Sequence, residues 1–357
     1  MRILIIGYGK IGRVKASIWK SLGCEVYVYD VKKAAMDSAK SDGLNLYTDS
    51  SKMVGDYILD ISTPAGQHFK SLHWALGHGA GHPKAILIEK PLASTTDECT
   101  LFEDFMKTDA GQKFANKIFV DESYYSSPSL NLLKETIQKN KEEILSLEIE
   151  LSKPRLPDRV SGRFFDVELG ALGVEAPHML AILQLLGQNL SSFKPEAVYL
   201  FVDEQRIENQ ALLLTAQNKG IAISLISYLG DFRVKGGKLV KNNGIKRHVK
   251  IATNKSHYFL ELDPVTALPR MRARLQIKSP ENNRRVLIPI DDDHLKNHLS
   301  YFLSGQSLAP NAELFEMKNA MLVSKTLIAT RRQSRTILLK NFVPSTTATS
   351  QIRELIG

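Results

Sequence analysis

Gly7, Gly9 and Gly12 give a G-x-G-x-x-G spacing between an apolar run, "RILIIG" from Arg2 to Gly7, and a helical pattern that closes at Gly23. Each glycine has its own task in such a turn. The first permits the tight bend, the second lets the backbone approach a pyrophosphate, and the third lets helix and strand pack closely. The helix N-terminus adds N–H groups and a positive dipole for phosphate. Lys10 and Ile11 lie inside the same turn. Asp30 follows Gly12 by 18 residues, at the end of the next β-rich run. A carboxylate there accepts hydrogen bonds from a ribose diol and repels a 2′-phosphate. The pattern therefore favours NAD over NADP as cofactor, with Lys32 and Lys33 as the groups that would soften that preference.

A second stretch, "AILIEKPLA" from Ala85 to Ala93, ends an apolar run on Glu89, Lys90 and Pro91. A carboxylate and an ammonium set against a rigid proline read either as a salt bridge closing a strand or as part of a reacting site. A third stretch, "LGALGVEAPHML" from Leu169 to Leu180, holds Glu175, Pro177 and His178. Proline suits the first turn of a helix, where its missing N–H leaves nothing unpaired. His178 then falls in that turn, where the dipole disfavours imidazolium and leaves a neutral ring able to accept a proton. Arg155, Arg159 and Arg163 lie in the loop before it, as solvated side chains or as a clamp for a carboxylate or phosphate.

The elements that must position these residues alternate at first. Apolar runs at residues 2–7, 24–30, 57–63, 84–89 and 117–122 are separated by helical patterns, which implies right-handed crossovers and a doubly wound parallel sheet. Beyond residue 122 come a helical "PSLNLLKETIQKN", a strand from Glu143 to Leu151, and the helix bearing His178. From Glu196 to Ile290 long β-rich runs carry the turn signals "NKG" and "PENN", which mark antiparallel hairpins, and two closing helices follow. The fold class is α/β: a Rossmann domain over 1–122, an α+β substrate and oligomerisation domain over 123–345 with a large, mostly antiparallel sheet, and a Ser/Thr-rich tail over 346–357.

The glycine motif, "DISTPAGQHF" from Asp60 to Phe69 and "IEKPLA" stand in the order and spacing of the Gfo/Idh/MocA oxidoreductases, the relatives of glucose–fructose oxidoreductase and myo-inositol dehydrogenase, and the chain resembles that family over nearly its whole length. The resemblance implies that Lys90 contacts the nicotinamide ribose and the substrate's reacting oxygen. It implies that Glu89 holds Lys90 by charge, with Pro91 fixing the backbone through a cis bond as in relatives. It places Thr63, Pro64 and His68 under the nicotinamide ribose and Glu122 on the nicotinamide side. The family's Asp-x-x-x-His matches here only at His178: Val174 occupies the aspartate position, and Glu175 is the nearest acid. The expected catalytic residues are Lys90, His178 and Glu175. Lys90, Arg155, Arg163, Glu175 and His178 are the expected substrate contacts.

Composition bounds the alternatives. Of 357 residues 43% are hydrophobic and 24% charged, as in soluble globular proteins. No apolar run approaches the roughly 20 residues that span a bilayer, and no signal cleavage site follows the first strand, which reads as a cytoplasmic protein without a membrane partner. Cys24 and Cys99 make no disulfide framework, and no metal is expected. The net charge of +9 is dispersed, with one denser stretch from Gly236 to Lys250. No nucleic-acid motif accompanies it, so a solvated loop is the reading and no nucleic-acid partner is expected. The expected activity is hydride transfer between nicotinamide and a secondary alcohol or ketone of a sugar, cyclitol or derivative, an anionic one included. An NAD-using lyase or glycosidase without net redox change, and a non-catalytic NAD sensor, are the alternatives. A homodimer or homotetramer through the domain-two sheet is expected, because Ser224, Ile226 and Tyr228 make its second face unusually apolar.

Overall fold

The computed structural model describes residues 1–48, 53, 55–78, 83–155, 169–203, 209–235, 238–242, 244–262, 273–279, 284–304 and 311–339. Arg159, Arg163, the "PENN" turn and the expected tail lie outside them. The chain forms two compact units: residues 1–127 with 293–328, and residues 128–292 with 329–357. The closing helices, expected with the second domain, thus fall largely in the first unit.

In the first unit β1 (Arg2–Ile6), α1 (Lys10–Ser21), β2 (Glu25–Tyr29), α2 (Lys33–Ser41), β3 (Asn45–Leu46), β4 (Tyr57–Ile61), α3 (His68–His78), β5 (Ala85–Glu89), α4 (Thr96–Lys107), α5 (Asp109–Phe114) and β6 (Ile118–Asp121) follow in turn. The strands pair in parallel in the order β3-β2-β1-β4-β5-β6. β4 and β6 are buried along their whole length, as strands covered on both faces must be. Because every strand runs the same way, Gly7, Ser62, Lys90 and Glu122 all follow carboxyl ends of strands, the edge at which such sheets bind ligands.

In the second unit α6 (Pro128–Lys139), β7 (Ile144–Ser152), α7 (Ala171–Val174) and α8 (Ala176–Leu185) precede β8 (Lys194–Asp203), β9 (Asn209–Asn218), β10 (Ile221–Tyr228), β11 (Phe232–Lys235), β12 (Lys238–Lys241), β13 (Lys246–Thr253), β14 (His257–Glu261), β15 (Ala273–Ser279) and β16 (Arg284–Ile290). The chain then runs through α9 (His294–Ser304) and α10 (Met317–Gln333) to β17 (Arg335–Leu339). Nine strands form one sheet, β16-β15-β14-β13-β7-β10-β9-β8-β17, parallel only at β7/β10 and β8/β17. The "NKG" turn joins β9 to β10 through Lys219 and Gly220, both at positive φ, the geometry that matches strand twist in a two-residue hairpin.

One expected surface is covered from within. Ile223, Leu225 and Ser227 are buried on one face of β10. On the other face Tyr228 is buried with Phe201, Ala211 and Phe232, and Ile226 packs there with Val234 and Leu239. The ribbon β11–β12 thus covers the apolar part of that face, which a sequence pattern confined to β10 could not reveal.

Candidate active site

The nucleotide turn carries each glycine for a different reason. At Gly12 an added Cβ would lie 2.1 Å from the Gly7 carbonyl oxygen, so no side chain fits between helix and strand. Gly7 has φ +96, and a Cβ would come within 2.9 Å of the Ser62 backbone. At Gly9, which caps α1 with ordinary extended dihedrals, a Cβ would meet nothing within 4 Å. Neither fold nor backbone conformation demands glycine there. A glycine there leaves the backbone open to a ligand's approach, as a dinucleotide's pyrophosphate would need. Asp30 accepts N–H bonds of 2.8 Å from Tyr8 and from Lys32, one on each carboxylate oxygen. It thereby ties the turn to the end of β2 and keeps lone pairs for a ribose diol. Lys10 is exposed and Ile11 half-buried in the same turn.

His68 lies beneath this edge. Its Nε2 stands 2.8 Å from the Thr63 carbonyl oxygen and its Nδ1 3.1 Å from that of Leu92, and the ring is 1% exposed. Expected to lie under the cofactor's ribose, it ties the loop after β4 to the loop after β5. Burial lowers its pKa, against the pull of those two carbonyls. Thr63 and Pro64 are half-buried on the first of these loops. On the second, the Lys90–Pro91 bond is cis, and a capping box between Thr95 and Glu98 starts α4.

Glu89 does not have the expected partner alone. Its carboxylate lies 3.0 Å from the ammonium of Lys15, a residue of α1 that is 0% exposed. Lys15 also meets Asp60 at 2.9 Å, Ser62 Oγ at 3.0 Å, and Asp121. Trp19 donates to Asp60 at 2.9 Å, and Nε2 of His298 on α9 sits 2.8 Å from Asp121. The cluster draws one carboxylate each from β4, β5 and β6. Burial alone would lower the Lys15 pKa, but the three acids raise it well above the usual value. Burial raises Glu89, whereas Lys15 and His298 overcome burial at Asp121 and hold it below the usual carboxylate range. A periodicity signal for this existed: Gly12, Lys15, Ala16 and Trp19 lie on one stripe of α1, so Lys15 had to face the sheet. Acids at or near strand ends were the candidate counterions in such apolar runs.

Glu122, just past β6, is 2% exposed and accepts a bond of 3.1 Å from the Tyr124 N–H. Burial pushes its pKa up to about 7, against the charge of Lys90, that N–H, His298 and His294. It is a carboxyl group poised near neutrality that feels the charge of Lys90.

In the second unit α8 begins at Ala176 with Pro177 in its first turn, and His178 follows, half-buried, as the spacing required. Glu175 precedes the helix at 1% exposure. Its carboxylate takes Arg155 Nη2 at 2.6 Å and Arg247 Nη2 at 3.4 Å. Expected to orient His178 or bind a substrate hydroxyl, Glu175 is seated on two guanidinium groups, since a carboxylate buried this deeply needs cationic partners. Arg155, expected to meet substrate, serves here as one of them. Arg247 has no signal in local sequence: it reaches Glu175 from β13, far along the chain.

Residues 1–111 match the GFO_IDH_MocA family, described as an oxidoreductase family with an NAD-binding Rossmann fold. No curated protein matches the chain. Among solved structures, the 3-ketoreductase KijD10 from Actinomadura kijaniata with NADP and TDP-benzene is 14% identical at a TM-score of 0.71, over 95% of this chain and 99% of that one. UDP-N-acetylglucosamine 3-dehydrogenase GnnA from Acidithiobacillus ferrooxidans is 17% identical at a TM-score of 0.64, over 94% and 97%. At these identities the likeness is one of fold.

Two glycine variants separate packing from ligand approach. Gly12→Ala should lose about 2–4 kcal/mol of stability through the backbone clash. Gly9→Ala should melt with the wild type yet bind dinucleotide about tenfold or more weakly; thermal melts beside calorimetric titration read both. Glu122 supplies a pH test. Its folded pKa is raised, so its contribution is intact below the unfolded value and lost as pH rises through about 7. Glu122→Gln mimics the neutral acid. It should gain roughly 1–3 kcal/mol relative to wild type between pH 5 and pH 8.5 in denaturant melts.

Proposed function

We propose that this chain, whose N-terminal domain is that of the Gfo/Idh/MocA oxidoreductases, oxidises or reduces a secondary alcohol or ketone of a sugar, with a nucleotide-activated sugar as the first substrate class to test. The observation that carries the reading is the pairing, on one sheet edge, of a nucleotide turn whose middle glycine faces open space with a lysine at the end of β5. The two similar structures, named for a sugar ketoreductase and a sugar-nucleotide dehydrogenase, support the substrate class. A net charge of +9 suits an anionic one. Bound NAD(P) supplies the hydride acceptor or donor. Lys90 donates a hydrogen bond to the substrate oxygen, and His178 takes the hydroxyl proton on oxidation or returns it on reduction. Glu175 acts through its arginines as structure around the start of α8. NAD is the preferred cofactor because Asp30 faces the ribose diol. The crystallised relative holding NADP makes Lys32 and Lys33 the residues to watch.

A screen of sugars, inososes, uronates and sugar nucleotides with NAD(H) and NADP(H), read at 340 nm, tests this. Lys90→Ala and His178→Ala should each lose two to four powers of ten in turnover, roughly the worth of one positioned proton-transfer group, with cofactor affinity little changed. Product formed with catalytic cofactor and no net NADH would assign elimination instead. Binding without any turnover would favour a sensor.

The open face of the nine-stranded sheet is proposed as the contact between copies in a homodimer or homotetramer. It carries a groove of about 920 Å³ lined in part by Glu148, Thr215, Ser224, Lys250, His257 and Arg285. Sedimentation at micromolar concentration should show an oligomer, and a monomer there would end the proposal.

A further inference from the structure

The charge cluster of the first unit is not accounted for by cofactor binding. Five titratable side chains, Lys15, Asp60, Glu89, Asp121 and His298, meet out of water, and four of them are essentially unexposed. The cluster ends one residue short of Lys90. Lys90 follows the last residue of β5, and the Glu89 carboxylate is turned to Lys15 at 3.0 Å. Glu89 nevertheless feels Lys90, whose charge favours the ionised carboxylate. One carboxylate therefore stands between two ammonium groups, one buried in α1 and one at the end of β5.

We propose that Lys15 is a positioning residue for Lys90: by holding the Glu89 carboxylate to its own ammonium, it limits the carboxylate charge that reaches the Lys90 ammonium. A salt bridge given wholly to Lys90 would occupy the group that must turn to a substrate oxygen. With Lys15 as the stronger claimant, the motif's glutamate anchors the backbone of the lysine instead. The other charged groups around the two residues are Glu122 beyond β6, Asp60 on β4, Asp121 on β6, and His294 and His298 on α9. None of these changes in the variants below, apart from Asp121 where stated.

The part played by Lys90 in catalysis is the reading proposed above, on which the meaning of this role rests. The test needs no substrate, so a silent activity screen would leave its result standing. Trace acetic anhydride, an uncharged reagent, is applied to the whole protein at pH 8. Acetylation of Lys90 is then measured by mass spectrometry against the exposed Lys20 and Lys107 of the same chain. Only the unprotonated amine reacts, so carboxylate charge nearby slows labelling. Glu89→Gln removes that charge and should speed Lys90 about threefold to tenfold. Lys15→Met releases the charge toward Lys90 and should slow it by a similar factor. General loosening of the fold would move both variants the same way, toward the rate of the exposed lysines. Should Lys15→Met fail to fold, Lys15→Met/Asp121→Asn removes one charge of each sign, leaves Glu89 unclaimed, and carries the same expectation. Opposite shifts support the role. Shifts in one direction, or rates within twofold of wild type in both variants, overturn it.

Discussion

A lysine ammonium with no exposure is the constraint on which the first unit depends. Moving such a charge out of water is tolerable only when carboxylates surround it, and losing one partner of a buried pair costs about 3–5 kcal/mol. Lys15 meets that demand by drawing acids from the ends of β4, β5 and β6 to one point beside α1. The same helix begins at Gly9 and presents its N-terminus to the nucleotide turn. The position of α1 and the position of the residue before Lys90 are therefore set by one set of ion pairs. His68 adds a second tie, its two ring nitrogens standing against the carbonyls of the two loops that follow β4 and β5.

Burial governs the second unit in a similar way. Glu175 takes two arginines and Glu150 takes Arg233. The charge of Glu175 is thus balanced by guanidinium groups. This leaves His178, in the first turn of α8, as the proposed proton carrier of that unit. In the first unit Glu122 is shifted toward neutrality, because burial outweighs the charge of Lys90 and the Tyr124 N–H. Environment, rather than residue type, separates the two glutamates.

Local pattern determined much of this protein. The alternation of apolar runs and helical patterns was enough for five strands of the parallel sheet, because parallel strands buried on both faces have few other ways to read; the two-residue β3, half-exposed, carries no such run. The tasks of Gly7 and Gly12, the positive-φ turn at Lys219 and Gly220, and the first-turn position of His178 were also legible, since each follows from backbone geometry within a few residues. The tertiary structure decided the partners. Glu89 stands next to Lys90 in sequence but meets Lys15, which is distant in the chain. Glu175 stands three residues from His178 but is held by Arg247 from another strand. The apolar side of β10 is covered by Phe232 and its ribbon. Charge pairing and burial act through space and depend on which strand ends come together, and a sequence records the groups to be paired without recording their neighbours.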